Sequence, residues 1–329
     1  MRLVANTDYW DKKRGPHLRE VVFRNDLSPV EALELVCTTE GEVDVLAEVP
    51  PVDAARVEHS EHAKLVAIDA MRAVVGVIDR DAEGLPLGDV RARRALNLAV
   101  DRGRLVREAM HGRARLLAGL TPPTALTLLH RSPDRLGPYP HDPALAAGLW
   151  QEAGGGASAA RPLRVAALGE GLERTARGVA ADLREALGIE ADVTVYRGGE
   201  KLLVRRRLAE KALPREWDVL LLEQTTQTAD APALELHRAF AGASGEYRAG
   251  PVLPEFEALW MELVSKTSQL EMARLNNRVD RLVRDEALAL FLCAPQALYA
   301  VNKHVDFTAY RTTLELPECR VSSAHWSRR

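Results

Sequence analysis

The sequence predicts an α/β protein organised around a mostly parallel sheet, and three observations lead there. Strand-like and helix-like segments alternate as β-α-β-α-β between Pro162 and Leu222, the order of a parallel sheet covered by helices. The section before it mixes short valine-rich runs with a capped helix. The length, 329 residues with 47% hydrophobic and 28% charged, suffices for two compact units.

Taken in order, strand-like runs fall at Glu20 to Arg24, Val43 to Ala47, Lys64 to Asp69 and Ala73 to Ile78. Ser28, Pro29 and Glu31 read as N-cap, N1 and N3 of a helix ending near Gly41. The serine hydroxyl takes the Glu31 amide, and the carboxylate reaches back. Asp89 caps a second helix, in which Ala92, Ala95, Leu96 and Ala99 recur at helical spacing, and another helix starts at Asp101. The proline-dense stretch from Gly112 to Pro143 favours extended segments and turns. Asp142 and Pro143 open a helix that stops at Gly154, before a strand at Pro162 to Leu168. Then come helix Glu173 to Leu187 stopped by Gly188, strand Ile189 to Tyr196, helix Glu200 to Ala212 and strand Trp217 to Leu222. Helices at Ala233 to Ala241, Pro254 to Ser265 and Gln269 to Asp285 follow, with apolar strands at Ala289 to Cys293 and Ala297 to Val301.

Charge narrows the function. With 44 Lys and Arg against 47 Asp and Glu, the net charge is −3, and no nucleic-acid footprint is expected. The longest apolar run, Ala287 to Ala294, is far short of the roughly 20 residues that span a bilayer. The opening residues turn polar at Asn6 to Asp8, so no signal peptide is read there. Three distant cysteines, Cys37, Cys293 and Cys319, make neither a disulfide framework nor a four-cysteine zinc site.

Motifs for catalysis are weak. Gly169-Glu170-Gly171 opens a helix, but Arg174 stands where a dinucleotide fingerprint needs glycine, so the stretch reads as a turn. His59 and His62 lack further metal ligands, and His130, His141, His237, His304 and His325 read as scattered loop or surface residues. Asp79 and Asp81 read as a polar turn. Arg205 to Arg207 read as a mixed solvated helix, with Glu210 and Glu216 nearby. The polar run Gln224, Thr225, Thr226, Gln227, Thr228 and Asp230 reads as a loop following a buried strand, either exposed or ligand-lining. Ligands of open α/β sheets sit beyond the carboxyl ends of the strands.

Several stretches, in order, resemble the family 5 extracytoplasmic solute-binding proteins of ABC importers, the group of dipeptide, oligopeptide and nickel binders. They are Asn6-Thr7-Asp8-Tyr9-Trp10, Val22-Phe23-Arg24, Gly41-Glu42-Val43-Asp44, the block Asp89 to Arg102, Tyr139 to Pro143, Leu187-Gly188-Ile189 and Trp217-Asp218-Val219. The block Asp89 to Arg102 is the most specific of them. The resemblance implies a type II periplasmic-binding-protein-like, two-lobed fold with mixed sheets. Residues 1–80 would form part of lobe I, 81–298 lobe II, and 299–329 a return to lobe I. Family members carry a further portion before the Asn-x-Asp-Tyr-Trp element, so the first lobe is expected to be incomplete.

The resemblance further implies non-catalytic binding of a peptide-like or other small polar solute, without cofactor or metal. The solute would pass to a permease outside the cytoplasm, with membrane association only through that partner or a missing anchor. By position, Asp230 would pair with a ligand ammonium and Arg174 with a carboxylate, with Gln224, Thr225, Thr226 and Gln227 lining the site. Where the family often has Gly-Trp and Asp-Pro, this chain has Glu223-Gln224 and Asp230-Ala231-Pro232, which implies altered ligand contacts. Competing readings are the ligand-sensing domain of a transcriptional regulator, and an α/β enzyme using Asp79, Asp81 or His141.

Overall fold

Capping chemistry places the helices where the sequence expects them. In a computed structural model, which describes residues 1–11, 13, 16–123, 136–155, 161–225, 232–309 and 316–329, helix α1 (Pro29–Thr38) begins with the reciprocal Ser28–Glu31 capping box. It ends at Thr38, short of Gly41, because Thr39 is already extended, with φ −135°. Asp89, Asp101 and Asp142 each accept a first-turn amide at the heads of α3 (Val90–Ala99), α4 (Arg102–Glu108) and α5 (Pro143–Glu152). Helix α6 (Glu173–Leu187) stops at Gly188 in the left-handed region, φ +65°. Helix α7 (Glu200–Ala209) is shorter than expected, and Lys211 beyond it also takes positive φ.

The chain divides into two compact units, residues 1–70 with 296–329, and residues 71–295. In the first, β1 (Arg2–Val4) pairs antiparallel with β2 (Glu20–Val22). Strands β3 (Val45–Ala47) and β4 (Ala63–Asp69) flank the second half of a long strand, β10 (Ala289–Asn302). Helix α1 and α2 (Ala54–Glu58) bury Leu33, Val36 and Val57 against Ala63, Leu298 and Ala300.

The second unit holds a mixed sheet. Strand β5 (Arg72–Ile78) lies antiparallel between the first half of β10 and β9 (Val219–Thr225). Strands β7 (Leu163–Ala167) and β8 (Ala191–Val195) continue parallel from β9, in the order β9-β7-β8, and β6 (Ala114–Leu116) pairs with β10. Both faces are covered, which is why β9 reads as an unbroken apolar run. Val219 and Leu221 pack with Leu96, Trp150 and Val179 of α3, α5 and α6. Leu220 and Leu222 pack on the other face with Phe256, Val279 and Val283, from α9 (Pro254–Val264) and α10 (Gln269–Asp285). Helix α8 (Pro232–Ala241) packs beside α10.

Two expected strands near the end prove to be one. The 14-residue β10 runs through Pro295, and its partners change there, from β5 and β6 to β3 and β4. Proline lacks a ladder donor, so the sequence suggests a break where the structure makes a change of neighbour. Short strands β11 (Val305–Asp306) and β12 (Arg320–Val321) complete the first unit.

Candidate functional site

The sheet of the second unit turns polar at the carboxyl ends of its parallel strands. Strand β9 is buried from Val219 to Leu222, half-buried at Glu223 and Gln224, and exposed at Thr225. The sequence places Gln224 and Thr225 in a loop. The structure keeps both on the strand, because their backbones pair with Ala73 and Arg72 of β5. The period-2 pleat then separates them, with Thr225 on the face of Leu221 and Gln224 on the face of Leu222.

On that second face Gln224 Oε1 accepts a hydrogen bond from the Tyr247 phenol at 2.8 Å, and Gln224 Nε2 lies 3.4 Å from the Thr225 carbonyl oxygen. Burial pushes the Tyr247 phenol up to about 12, with the Glu246 carboxylate adding to the shift, so it stays protonated at neutral pH. Glu223 forms an ion pair with Arg72 at 3.4 Å.

Strand β7 ends in the glycine turn. Gly169 takes φ +126°, a conformation open to glycine, and Glu170–Leu172 form one tight turn before α6. Arg174, in the first turn of α6, is exposed. Its Nη1 donates to the Glu108 carbonyl oxygen at 3.3 Å and lies 3.5 Å from His111 Nε2. No hydrogen bond joins Arg174 to Gln224 or Thr225 among the described residues. Thr226, Gln227 and Asp230 lie outside the described residues, as do Thr228 and His130.

Arg72 and Tyr247, which the sequence does not single out, contact Glu223 and Gln224. Tyr247 lies 23 residues beyond Gln224, and Arg72 meets Glu223 only through a β-ladder, so no local spacing in the sequence marks either.

Several other titratable groups are paired with one another. The expected polar turn at Asp79 and Asp81 is present, and it also carries an ion-pair cluster with buried Asp79 and exposed Asp81, because Arg215 Nη1 donates to Asp79 Oδ1 and, at 3.3 Å, to Asp81 Oδ2. Burial raises the Asp79 carboxyl, against the opposing pull of Arg215. Of the histidines read as loop or surface residues, His237 is interior on helix α8, and His325, in a loop, is also buried. His237 is fully buried, with Nε2 3.0 Å from Asp280 Oδ1, and His325 is buried with Nε2 3.0 Å from Asp44 Oδ1. These pairs tie α8 to α10 and the carboxyl-terminal segment to Asp44. The arginine helix α7 is as expected, with Arg206 and Arg207 paired to Glu210 and Glu216.

Residues 1–238 match the family model "Bacterial extracellular solute-binding proteins, family 5 Middle". The chain belongs to this family. The family 5 chain is 27% identical over 321 residues to a probable di/tripeptide-binding protein 5 of Pseudomonas aeruginosa, covering 93% of this chain and 55% of the relative. It is 23% identical over 312 residues to the dipeptide-binding protein of Escherichia coli, again covering 93% and 55%. It thus spans about half the length of the curated relatives it matches.

Among solved structures, a putative peptide-binding protein, AppA, from Clostridium difficile superposes with a TM-score of 0.77 at 15% identity, covering 98% of this chain and 64% of the other. A peptide complex of the periplasmic binding protein DppA from Helicobacter pylori gives 0.72 at 18% identity, covering 97% and 60%. These likenesses establish the fold, that of the type II periplasmic-binding-protein group to which family 5 belongs.

Proposed function

We propose that this family 5 chain is the binding body of an ABC importer's solute receptor. It holds a peptide-like or other small polar solute without altering it and presents it to a permease outside the cytoplasm. The observation that carries this reading is the 321-residue alignment with a di/tripeptide-binding protein. The strand ends of the second unit supply suitable chemistry. Gln224 and Thr225 offer hydrogen bonds at the exposed end of β9, and Arg174 is an exposed guanidinium that, among the described residues, meets a carbonyl oxygen and an imidazole. A ligand carboxylate would replace the 3.3 Å carbonyl contact of Arg174 with a charge-assisted pair. Asp230 would receive the ammonium at the other end. Both ligand charges need such partners, because an isolated ion withdrawn from water is very costly. Thr226 and Gln227 would complete the hydrogen-bonding set.

Thermal unfolding with dipeptides, amino acids, sugars and nickel tests the reading. A solute that binds only the native protein stabilises it by about 2.7 kcal/mol at a hundredfold excess over Kd, which raises the melting temperature by several degrees. Dipeptides are expected to give that rise. Asp230→Asn is expected to abolish the rise given by solutes with a free ammonium, while moving the unliganded melting temperature little. An unchanged rise removes Asp230 from the site, and no rise with any peptide refutes the peptide reading.

A further inference from the structure

The side-chain amide of Gln224 is a hydrogen-bonding group with two faces, and the structure holds it in one orientation. Its oxygen is taken by Tyr247 at 2.8 Å, while among the described residues its nitrogen makes one approach, 3.4 Å to the neighbouring carbonyl of Thr225. A primary amide carries two donors on that nitrogen, and the contact to Thr225 engages at most one of them among the described residues. Gln224 is half-buried at the point where β9 emerges from the core.

Tyr247 is a firm support for this arrangement. It is 2% exposed, and its ring packs against Phe240 at 5.1 Å. The backbone N–H of Tyr247 donates to the Ala239 carbonyl oxygen at 2.8 Å, which ties its turn to the end of α8. From the other side the Lys211 ammonium donates to the carbonyl oxygens of Gly245, Glu246 and Arg248. A buried phenol must place its proton on an acceptor; the Gln224 side-chain oxygen stands 2.8 Å away, and the Glu246 carboxylate is a second hydrogen-bonding neighbour of the phenol.

We propose that Tyr247 is a specificity-determining residue. It fixes the Gln224 amide with its NH2 toward the solute, so that the site selects a hydrogen-bond acceptor there, a peptide carbonyl or carboxylate oxygen. This rests on the reading that Gln224 lines the solute site. It assigns Gln224 the role of donor and Tyr247 the role of the residue that orients it. An interchange of the amide would present an oxygen to an oxygen and discriminate against the same ligand. A site built around an oriented polar group rejects the mismatched partner, because a buried group is left unpaired.

Calorimetric titration with alanyl-alanine, using wild type, Tyr247→Phe, Gln224→Met, Gln224→Glu and the Tyr247→Phe/Gln224→Met double variant, tests the proposal. Gln224→Glu retains an oxygen for Tyr247 but turns a second oxygen to the ligand, and a loss of affinity of tenfold or more is expected. Tyr247→Phe frees the amide to turn, and a loss of roughly three- to tenfold is expected, the range of a single hydrogen bond. In the Gln224→Met background Tyr247→Phe should have no further effect, which a merely structural tyrosine would not satisfy.

If wild type binds and Gln224→Glu binds as well or better, or if the two single losses simply add, the orientation role is refuted while the peptide reading stands. If wild type itself shows no binding, the peptide reading fails and the inference falls with it.

Discussion

Asp218 is fully buried, yet it is surrounded by donors. Arg161 contributes two hydrogen bonds at 2.7 and 2.8 Å, and Arg164 contributes its guanidinium and its backbone N–H, each at 2.8 Å. Burial by itself would raise the carboxyl, but the hydrogen bonds from the two guanidinium groups and the Arg164 amide outweigh it and hold Asp218 below its ordinary value. A depressed carboxyl stabilises the native state above its unfolded value, and the benefit is lost as pH falls through the lower native one. Asp218→Asn is therefore expected to cost about 3 kcal/mol at neutral pH, with the gap from wild type narrowing below about pH 4. Urea unfolding across that range reads both. Trp217-Asp218-Val219 is visible in the sequence as a motif, but the partners of its aspartate lie 54 and 57 residues earlier. The motif can be seen there without its reason.

The block Asp89 to Arg102 shows the same limit for an element. Arg93 and Arg94 donate to the carbonyl oxygens of Glu286 and Asp285, where α10 leaves its last carbonyls without helical partners. Asn97 donates to the Ala289 carbonyl oxygen at 3.0 Å and accepts from the Phe291 amide at 3.2 Å. Arg102 reaches Phe291 and Asn97 from the next helix. The most specific signal in the sequence is thus a clamp that seats α3 on the start of β10. Asn97→Leu keeps the branched shape with somewhat more bulk, and leaves a buried carbonyl, an amide and a guanidinium short of partners. The expected cost is about 3 kcal/mol in urea unfolding with an unchanged m-value, and a cost below about 1 kcal/mol would refute the clamp. Helix starts are legible because a cap acts across three residues, as at Ser28, Asp89 and Asp142. The continuity of β10 is not, because its four partner strands come from residues 45 to 116.

For the whole molecule, the parallel β-α-β-α-β core could be read from alternation alone, and β7, β8 and β9 pair as that order requires. The insertion of β5 and β10 antiparallel beside them could not be, since Val77 meets Ala289 and Leu220 across more than 140 residues. The proposed site was legible only as a position, the strand ends. Gln224, Thr225 and Arg174 are on polar or exposed positions there, whereas Tyr247 reaches Gln224 only through tertiary packing.

What unites these scales is a scaffold whose buried charges are spent on structure, with polar strand ends on which the proposed solute site rests. Titration calorimetry with alanyl-alanine, followed by mass spectrometry of the recovered ligand, tests that claim most directly. Saturable binding at one site with the dipeptide returned intact is the predicted result, and absence of binding or recovery of free alanine would contradict it.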